Sequence, residues 1–269
     1  MRPSTTVTGT GRLAMRAKVP EITAMFWLIK VLTTGMGEAA SDYLGTVSLV
    51  LAGAIGVIGL VVALALQLRA RRYIAPVYWF AVAMVAVFGT MAADALHVAL
   101  GVPYAGATAF YAVALVVVFV LWYRAEGTLS IHSIVTRRRE IYYWVTVLAT
   151  FALGTAAGDL TAASMHLGYF PSAVLFGVLI ALPAIGRRLG LNGIAAFWIA
   201  YVLTRPLGAS VADWLGKPHH PDGGLGFGDG TVAGLATLAI VALVGYVTVA
   251  RTDIQPEIGT HPEPVAAEA

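Results

Sequence analysis

Four aspartates occupy equivalent positions in this sequence, each within or at the end of a strongly apolar segment. Each follows a tryptophan by fifteen residues, with a glycine ten residues after that tryptophan and a small residue just before the aspartate. The four sets are Trp27/Gly37/Asp42, Trp79/Gly89/Asp94, Trp144/Gly154/Asp159 and Trp198/Gly208/Asp213. Carboxylates in a membrane are costly and usually functional, so the repeated aspartates predict binding of cations or protons.

Oxygen-bearing side chains recur one helical turn before the aspartates. Glu38 precedes Asp42 by four residues and therefore lies on the same helix face. The equivalent positions of the second and third repeats are Thr90 and Thr155, whose hydroxyls are also possible ligands, whereas the fourth repeat has Ala209. This pattern adds Glu38 to the predicted site.

Two histidines follow aspartates at helical spacing. His97 is three residues after Asp94, and His166 is seven residues after Asp159, so each shares the face of its aspartate if the helix continues. A mixture of carboxylates and imidazoles suits a divalent transition metal better than an alkali ion. The predicted metal ligands are Asp42, Asp94, Asp159, Asp213, Glu38, His97 and His166.

Arg205 is a charged residue inside the seventh apolar segment, where an unpaired charge is expensive. Counted from the tryptophan of each repeat, its depth differs from that of Glu38 by about 6 Å, within reach of an arginine side chain. We predict an Arg205–Glu38 pair between helices 1 and 7, either purely structural or a gate that opens when a cation or proton binds. Lys30 lies only three residues after Trp27 and is predicted to extend to the cytoplasmic boundary.

The aspartates also have an interpretation without transport. They could mark the outer ends of helices or cap the following helix. This alternative fits Asp42 and Asp213 best, because an aromatic residue and then Leu-Gly follow each of them directly.

The composition requires a membrane protein, since 59% of the residues are hydrophobic and only 12% are charged. Apolar segments of spanning length predict eight helices. Their approximate ranges are 20–42, 46–68, 76–100, 105–123, 140–166, 170–186, 193–215 and 230–250. We predict an all-α polytopic membrane protein of four tandem two-helix repeats, about 20–68, 76–123, 140–186 and 193–250, with a pseudo-symmetry axis along the membrane normal.

The arginines lie mainly in the loops between repeats, which predicts that these loops and both termini are cytoplasmic. Residues 1–19 are predicted to form a cytoplasmic tail with helix 1 as an uncleaved insertion signal, and residues 251–269 a disordered tail. The expected location is a bacterial inner membrane. The absence of cysteine excludes disulfides and thiolate chemistry.

The four repeats are of two kinds. Repeats 1 and 4 share an aspartate followed by an aromatic residue and Leu-Gly, whereas repeats 2 and 3 share Tyr-Trp and Gly-Thr pairs. The order A-B-B-A predicts two different pairs of helices around the shared centre.

With four tandem two-helix repeats that each carry a tryptophan, the chain resembles a family of bacterial membrane proteins built on a repeat of unknown function. The resemblance covers residues 20–250 and implies the architecture described above. It supplies no activity, so the function must be inferred from the residues.

We expect a secondary transporter of a cation, with a divalent metal ion favoured and proton coupling left open. No ATP-binding motif occurs. The alternatives are a proton-coupled carrier of a small organic solute, or a structural or signalling membrane protein without transport. No nucleophile–base arrangement is visible, and the histidines lie too near the outer end for a buried bis-histidine haem, so neither an enzyme nor a resident cofactor is expected. The expected partners are the lipid bilayer and a small cation or solute, with no nucleic acid; a homo-oligomer is left open.

Overall fold

In a computed structural model of the chain, residues 17–221 and 223–255 are described, and within them all regular structure is helical. The eight long helices are α1 (Ala24–Val47), α2 (Leu49–Arg69), α3 (Ala75–Asp94), α4 (Tyr104–Glu126), α5 (Arg137–Asp159), α6 (Tyr169–Arg188), α7 (Gly193–Gly216) and α8 (Asp229–Ala250). π-Helical turns extend α3 over Ala95–Ala99 and α5 over Leu160–Ser164, and a short 3-10 helix, Ile131–Ser133, precedes α5. The predicted all-α architecture of eight helices is confirmed.

The helix that carries the aspartate of each repeat, its motif helix, lies in an inner ring. α1 contacts α3, α3 contacts α5, α5 contacts α7, and α7 returns to α1. Each remaining helix packs mainly on the motif helix of the next repeat: α2 on α3, α4 on α5, α6 on α7 and α8 on α1. The last repeat therefore closes onto the first, as a pseudo-fourfold axis through the ring requires.

Seven of the eight long helices in the described part of the chain are long and apolar enough to cross a membrane. In α3, α5 and α7, 50–61% of the 18-residue apolar stretch of each helix is buried inside the protein. In α2, α4, α6 and α8 only 17–22% of that stretch is buried, so these helices expose their apolar side chains to lipid. The exception is α1, whose hydropathy is lowered by Lys30, Glu38 and Asp42. It lies within the ring against α3, α7 and α8, so its polar side chains are covered by protein.

The repeated glycine of each motif helix receives a side chain from the next motif helix. The receiving and inserting residues are Gly37 and Ala86, Gly89 and Phe151, Gly154 and Arg205, and Gly208 and Thr34. The inserted residue always lies three positions before the next glycine, so one contact repeats around the ring. A Cβ at Gly89 would lie 2.6 Å from the Cβ of Phe151, which leaves no room for alanine without a shift. Small residues at these positions let the inner helices approach closely in lipid.

Aromatic residues fill the end of the ring that holds the tryptophans, here called the tryptophan end. The residue before each tryptophan lies against the tryptophan of the next repeat. The ring-centroid distances are 5.8 Å for Phe26–Trp79, 5.5 Å for Tyr78–Trp144, 6.2 Å for Tyr143–Trp198 and 5.7 Å for Phe197–Trp27. A hydrogen bond joins the hydroxyls of Tyr78 and Tyr143. These rings close the axis at the tryptophan end.

The segment before α1 crosses this same end. Val19 is 1% exposed and packs in the main core. The backbone N–H of Lys18 donates to the Ile134 carbonyl at 3.0 Å, and its ammonium pairs with the buried Glu140. Residues 17–19 of the predicted tail are therefore packed, whereas residues 1–16 lie outside the described part.

The segment after α8 is packed as well. The Tyr73 hydroxyl donates to Asp253 Oδ2 at 2.5 Å, and Gln255 Nε2 donates to the Pro20 carbonyl at 3.0 Å. The predicted disorder is thus wrong for residues 251–255, because Asp253 and Gln255 find partners at the tryptophan end. Residues 222 and 256–269 lie outside the described part.

Substitution of a ring glycine tests the packing. A Cβ at Gly37 would lie within 3.1 Å of three atoms of Ala86, two of them backbone atoms. Gly37→Val is therefore expected to lower the free energy of unfolding by about 1–3 kcal/mol. Gly53→Val on α2 is the matched control, because no atom lies within 4 Å of an added Cβ there. Unfolding of both purified variants in detergent would be measured; equal stability would contradict the ring packing.

Candidate functional site

A hydrogen-bonded ion pair occupies the centre of the ring. Arg205 Nη2 donates to Glu38 Oε2 at 2.5 Å, and the hydroxyls of Thr90 and Thr155 each donate to the same oxygen at 3.1 Å. Arg205 also donates to both hydroxyls, at 2.7 Å for Thr155, and to the Thr34 carbonyl at 2.9 Å. Its side chain is fully buried, and that of Glu38 is 4% exposed. The pair predicted from helix depths is present, and each of the four motif helices contributes to it.

The repeat explains how this centre is assembled. Glu38, Thr90 and Thr155 are equivalent residues, and the fourth equivalent, Ala209, is a small buried residue. Arg205, one turn before Ala209, supplies the guanidinium on α7. Gly154 provides the space for its stem, because an added Cβ would overlap the Arg205 side chain. The residues equivalent to Arg205 in the other repeats are Thr34, Ala86 and Phe151, so only the fourth repeat supplies a cation at this position.

An acidic cluster, here Glu38, Asp42 and Asp213, adjoins the ion pair toward the opposite end of the ring. Carboxylate oxygens of all three residues lie within 4.8 Å of one another. Asp213 is 6% exposed. Buried carboxylates this close together strongly favour the binding of a cation or protons. The cluster can offer only oxygen ligands.

A lysine at the end of α7 covers the acidic cluster. Lys217 Nζ lies 2.5 Å from Asp42 Oδ2 and 3.1 Å from Asp229 Oδ2. Burial lowers the pKa of Lys217, but the charge of Asp42 and the hydrogen bond to it raise it by more, so the pKa lies above its usual range. The ammonium therefore stays charged at neutral pH, and its contribution would be lost only as the pH rises through that elevated pKa.

Asp94 and Asp159 do not belong to the acidic cluster. Both are half-buried at the last residue of α3 and α5, where the π-helical turns begin. They lie close enough to add to the negative potential around Glu38 and Asp42. Two of the four repeated aspartates thus converge with Glu38, and the other two flank them.

The predicted participation of the histidines is corrected by the fold. His97 Nδ1 bonds to the Val102 carbonyl at 2.8 Å, and its ring stacks on Tyr104 at 3.8 Å. His166 is exposed, in a left-handed backbone conformation beyond α5. The π-helical turns change the residue spacing after each aspartate, so the expected shared face is lost. Neither histidine joins the acidic cluster.

The capping interpretation of Asp42 is also wrong. α1 continues through Asp42 to Val47, and Ser48 caps α2 by accepting from the Leu51 N–H. The Asp42 side chain therefore lies in the acidic cluster, where it pairs with Lys217.

Lys30 does not extend to the boundary as predicted. It is completely buried, with Nζ 4.1 Å from the ring centroid of Phe151 and 4.3 Å from that of Tyr201. No described residue accepts a hydrogen bond from its ammonium. The repeat contained the signal for this burial: Lys30 is equivalent to Val82, Val147 and Tyr201, three residues that fill the ring interior.

The two kinds of repeat occupy different halves of the ring. Repeats 1 and 4 supply the acidic cluster, Arg205 and Lys217, whereas repeats 2 and 3 supply the threonine hydroxyls and the Tyr78–Tyr143 bond. The pairing inferred from the order A-B-B-A has a physical counterpart, because α1 adjoins α7 and α3 adjoins α5. Sequence reasoning missed Lys217 and Asp229 as members of the site, since only the closed ring brings the end of α7 and the start of α8 to α1.

Comparison with known proteins gives an assignment to a family. The family profile described as "Repeat of Unknown Function (DUF347)" matches residues 25–73, 77–128, 142–187 and 196–253. No curated protein and no solved structure matches the chain.

Removing one member of the central pair should destabilise the protein strongly. Glu38→Gln leaves the Arg205 charge buried without a carboxylate, so a loss of about 3–5 kcal/mol in the free energy of unfolding is expected. The double variant Glu38→Gln/Arg205→Met should be more stable than the sum of the single losses implies. A double-mutant cycle on detergent-purified protein measures this coupling, and additive losses would contradict a direct pair.

Proposed function

The chain belongs to the DUF347 repeat family, and from its acidic cluster we propose that it is a secondary membrane transporter of a cation. The observation that carries the proposal is the excess of carboxylates over cationic side chains at one place in the ring. Within residues 17–221 and 223–255, the four carboxylates of Glu38, Asp42, Asp213 and Asp229 are offset by two paired cationic side chains, Arg205 and Lys217. A bound cation would offset the remaining negative charge in a region where water is scarce.

The ligand atoms favour one class of cation. All the cluster ligands are carboxylate oxygens, and the nearest neighbours that could add ligands are hydroxyls. Hard divalent ions such as Mg²⁺, Ca²⁺ and Mn²⁺ prefer such oxygen ligands, whereas Zn²⁺ and Ni²⁺ favour sites with imidazole. We therefore favour a hard divalent metal ion as the substrate.

Glu38 supplies a coupling mechanism, because it belongs both to the acidic cluster and to the central pair. A cation that draws on Glu38 competes with Arg205 for the same carboxylate. Weakening the pair would loosen the contact between α1 and α7, which supports the gating interpretation over the purely structural one. Between the Arg205–Glu38 pair and the tryptophan end, Lys30 and the aromatic rings fill the centre of the ring. The ring is therefore closed toward the tryptophan end in this conformation.

The location of the arginines supports an orientation. The arginine-rich loops between repeats lie at the tryptophan end, which we place in the cytoplasm together with both termini. The acidic cluster then faces the outer side of a bacterial inner membrane. The absence of an ATP-binding motif leaves an ion gradient, or the gradient of the cation itself, as the driving force.

Cation flux into proteoliposomes tests the proposal. The wild type is expected to move a divalent cation, and Asp213→Asn should reduce this flux by about tenfold or more, because a ligand charge is lost. Asp253→Asn, at the opposite end of the ring, is the matched control and should retain flux. A metal-sensitive dye and an internal pH dye would report the cation and any coupled proton. Absence of flux for every cation, or equal flux in the two variants, would favour an organic-solute carrier or a structural role.

Lys217 provides a second test with the opposite sign. Its ammonium neutralises Asp42, so Lys217→Gln should make the cluster more negative and lower the half-saturating cation concentration by about five- to tenfold. Arg124→Gln, in the last turn of α4 at the tryptophan end, removes the same charge far from the cluster and serves as control. A weaker cation affinity in Lys217→Gln would mean that the lysine organises the cluster instead of competing with the cation.

A further inference from the structure

A cavity of about 390 Å³ opens at the tryptophan end, remote from the acidic cluster. It lies between the first turn of α3, at Ala75 and Pro76, and the last turn of α8, at Val247 and Thr248. The loop before α3, the segment after α8 and Ala17 complete its walls. The proposed transport path along the ring axis uses none of these residues.

Two arginines supply positive charge to this cavity. Arg72 and Arg251 both line it, both are exposed, and neither forms an ion pair with another residue in the ranges 17–221 and 223–255. Asp253 also lines the cavity, but it is 3% exposed and accepts the Tyr73 hydroxyl. Two guanidinium groups thus line the cavity against a single carboxylate, which already accepts a hydrogen bond from Tyr73. The charge of the cavity is therefore suited to an anionic group.

The backbone of Arg251 is a second observation that bears on its side chain. Arg251 ends α8 with φ 53°, in the left-handed region, at a position that glycine normally takes. A side chain costs about 1 kcal/mol in this conformation. An arginine at a strained position beside a cavity suggests that the guanidinium has a use there.

The cavity also has an apolar wall that reaches the lipid-facing surface. Ile74 and Ile254 line it and are 41% and 55% exposed, and Pro76 and Val247 add further apolar lining. A free inorganic anion would gain nothing from contact with this apolar wall. A phospholipid would, because its phosphate binds the arginines while its acyl chains contact the adjacent apolar side chains.

We propose that this cavity binds the headgroup of an anionic phospholipid from the surrounding leaflet. Arg72 and Arg251 bind its phosphate, while Ile74 and Ile254 contact the start of its acyl chains. The lipid thereby bridges the connection between the first two repeats and the segment after the last repeat. Anionic lipid is abundant in cytoplasmic leaflets, which agrees with the orientation proposed above.

Lipid retention measured on the full-length protein tests this site. Protein in mixed micelles with phosphatidylglycerol or phosphatidylcholine would be analysed by native mass spectrometry and thermal unfolding, with inorganic phosphate as a separate arm. The wild type should retain phosphatidylglycerol preferentially and be stabilised by it. Arg72→Gln/Arg251→Gln should lower this retention by about tenfold or more. Arg69→Gln/Arg71→Gln is the control, since these exposed arginines lie at the end of α2 and just after it but do not line the cavity.

Arg251→Gly separates lipid binding from folding. Glycine fits the left-handed position, so this variant should be at least as stable as wild type without added lipid, yet lose part of the phosphatidylglycerol retention. Three results would overturn the proposal: no preference for phosphatidylglycerol in the wild type, equal loss in the Arg69/Arg71 control, or equal protection by inorganic phosphate. Equal loss in the Arg69/Arg71 control would mean that anionic lipid is attracted to the basic surface in general. Equal protection by inorganic phosphate would mean that the cavity binds free anions.

Discussion

The buried pair of Arg205 and Glu38 is the interaction on which the arrangement of the ring depends. A guanidinium in the middle of a membrane protein is tolerable only with a carboxylate and further acceptors around it. Here the carboxylate comes from α1, two hydroxyls from α3 and α5, and the arginine itself from α7. All four motif helices must therefore meet at one depth, and Gly154 must remain small to admit the arginine stem.

The backbone follows a fourfold plan that the side chains break. The contacts of the glycines and tryptophans repeat around the ring with nearly the same partners at each step. The polar residues do not repeat: one half of the ring holds carboxylates and cations, and the other holds hydroxyls. A symmetric scaffold thus produces an asymmetric polar interior, in which charge collects between α1 and α7.

Much of the fold, and the central pair, could be predicted from the sequence because both depend on distance along helices. The fixed rise per residue relates Arg205 to Glu38 in depth without knowledge of the packing. The features that could not be predicted depend on the direction in which each helix face points and on the closure of the ring between the last and first repeats. The π-helical turns remove His97 and His166 from their expected faces, and only the contacts of α7 and α8 with α1 bring Lys217 and Asp229 to Asp42. Lys30 was misjudged because its depth was considered without its equivalents in the other repeats.

The order of synthesis gives the position of α1 a further meaning. Helix α1 is made first, yet the arginine that neutralises Glu38 follows 167 residues later, and the rings around Lys30 belong to the third and fourth repeats. Until those helices are inserted, Glu38 lacks its counter-charge and Lys30 lacks the aromatic rings that surround its ammonium. Productive assembly must therefore shelter the first helix, at the insertion machinery or near the membrane surface, until the fourth repeat arrives to enclose it.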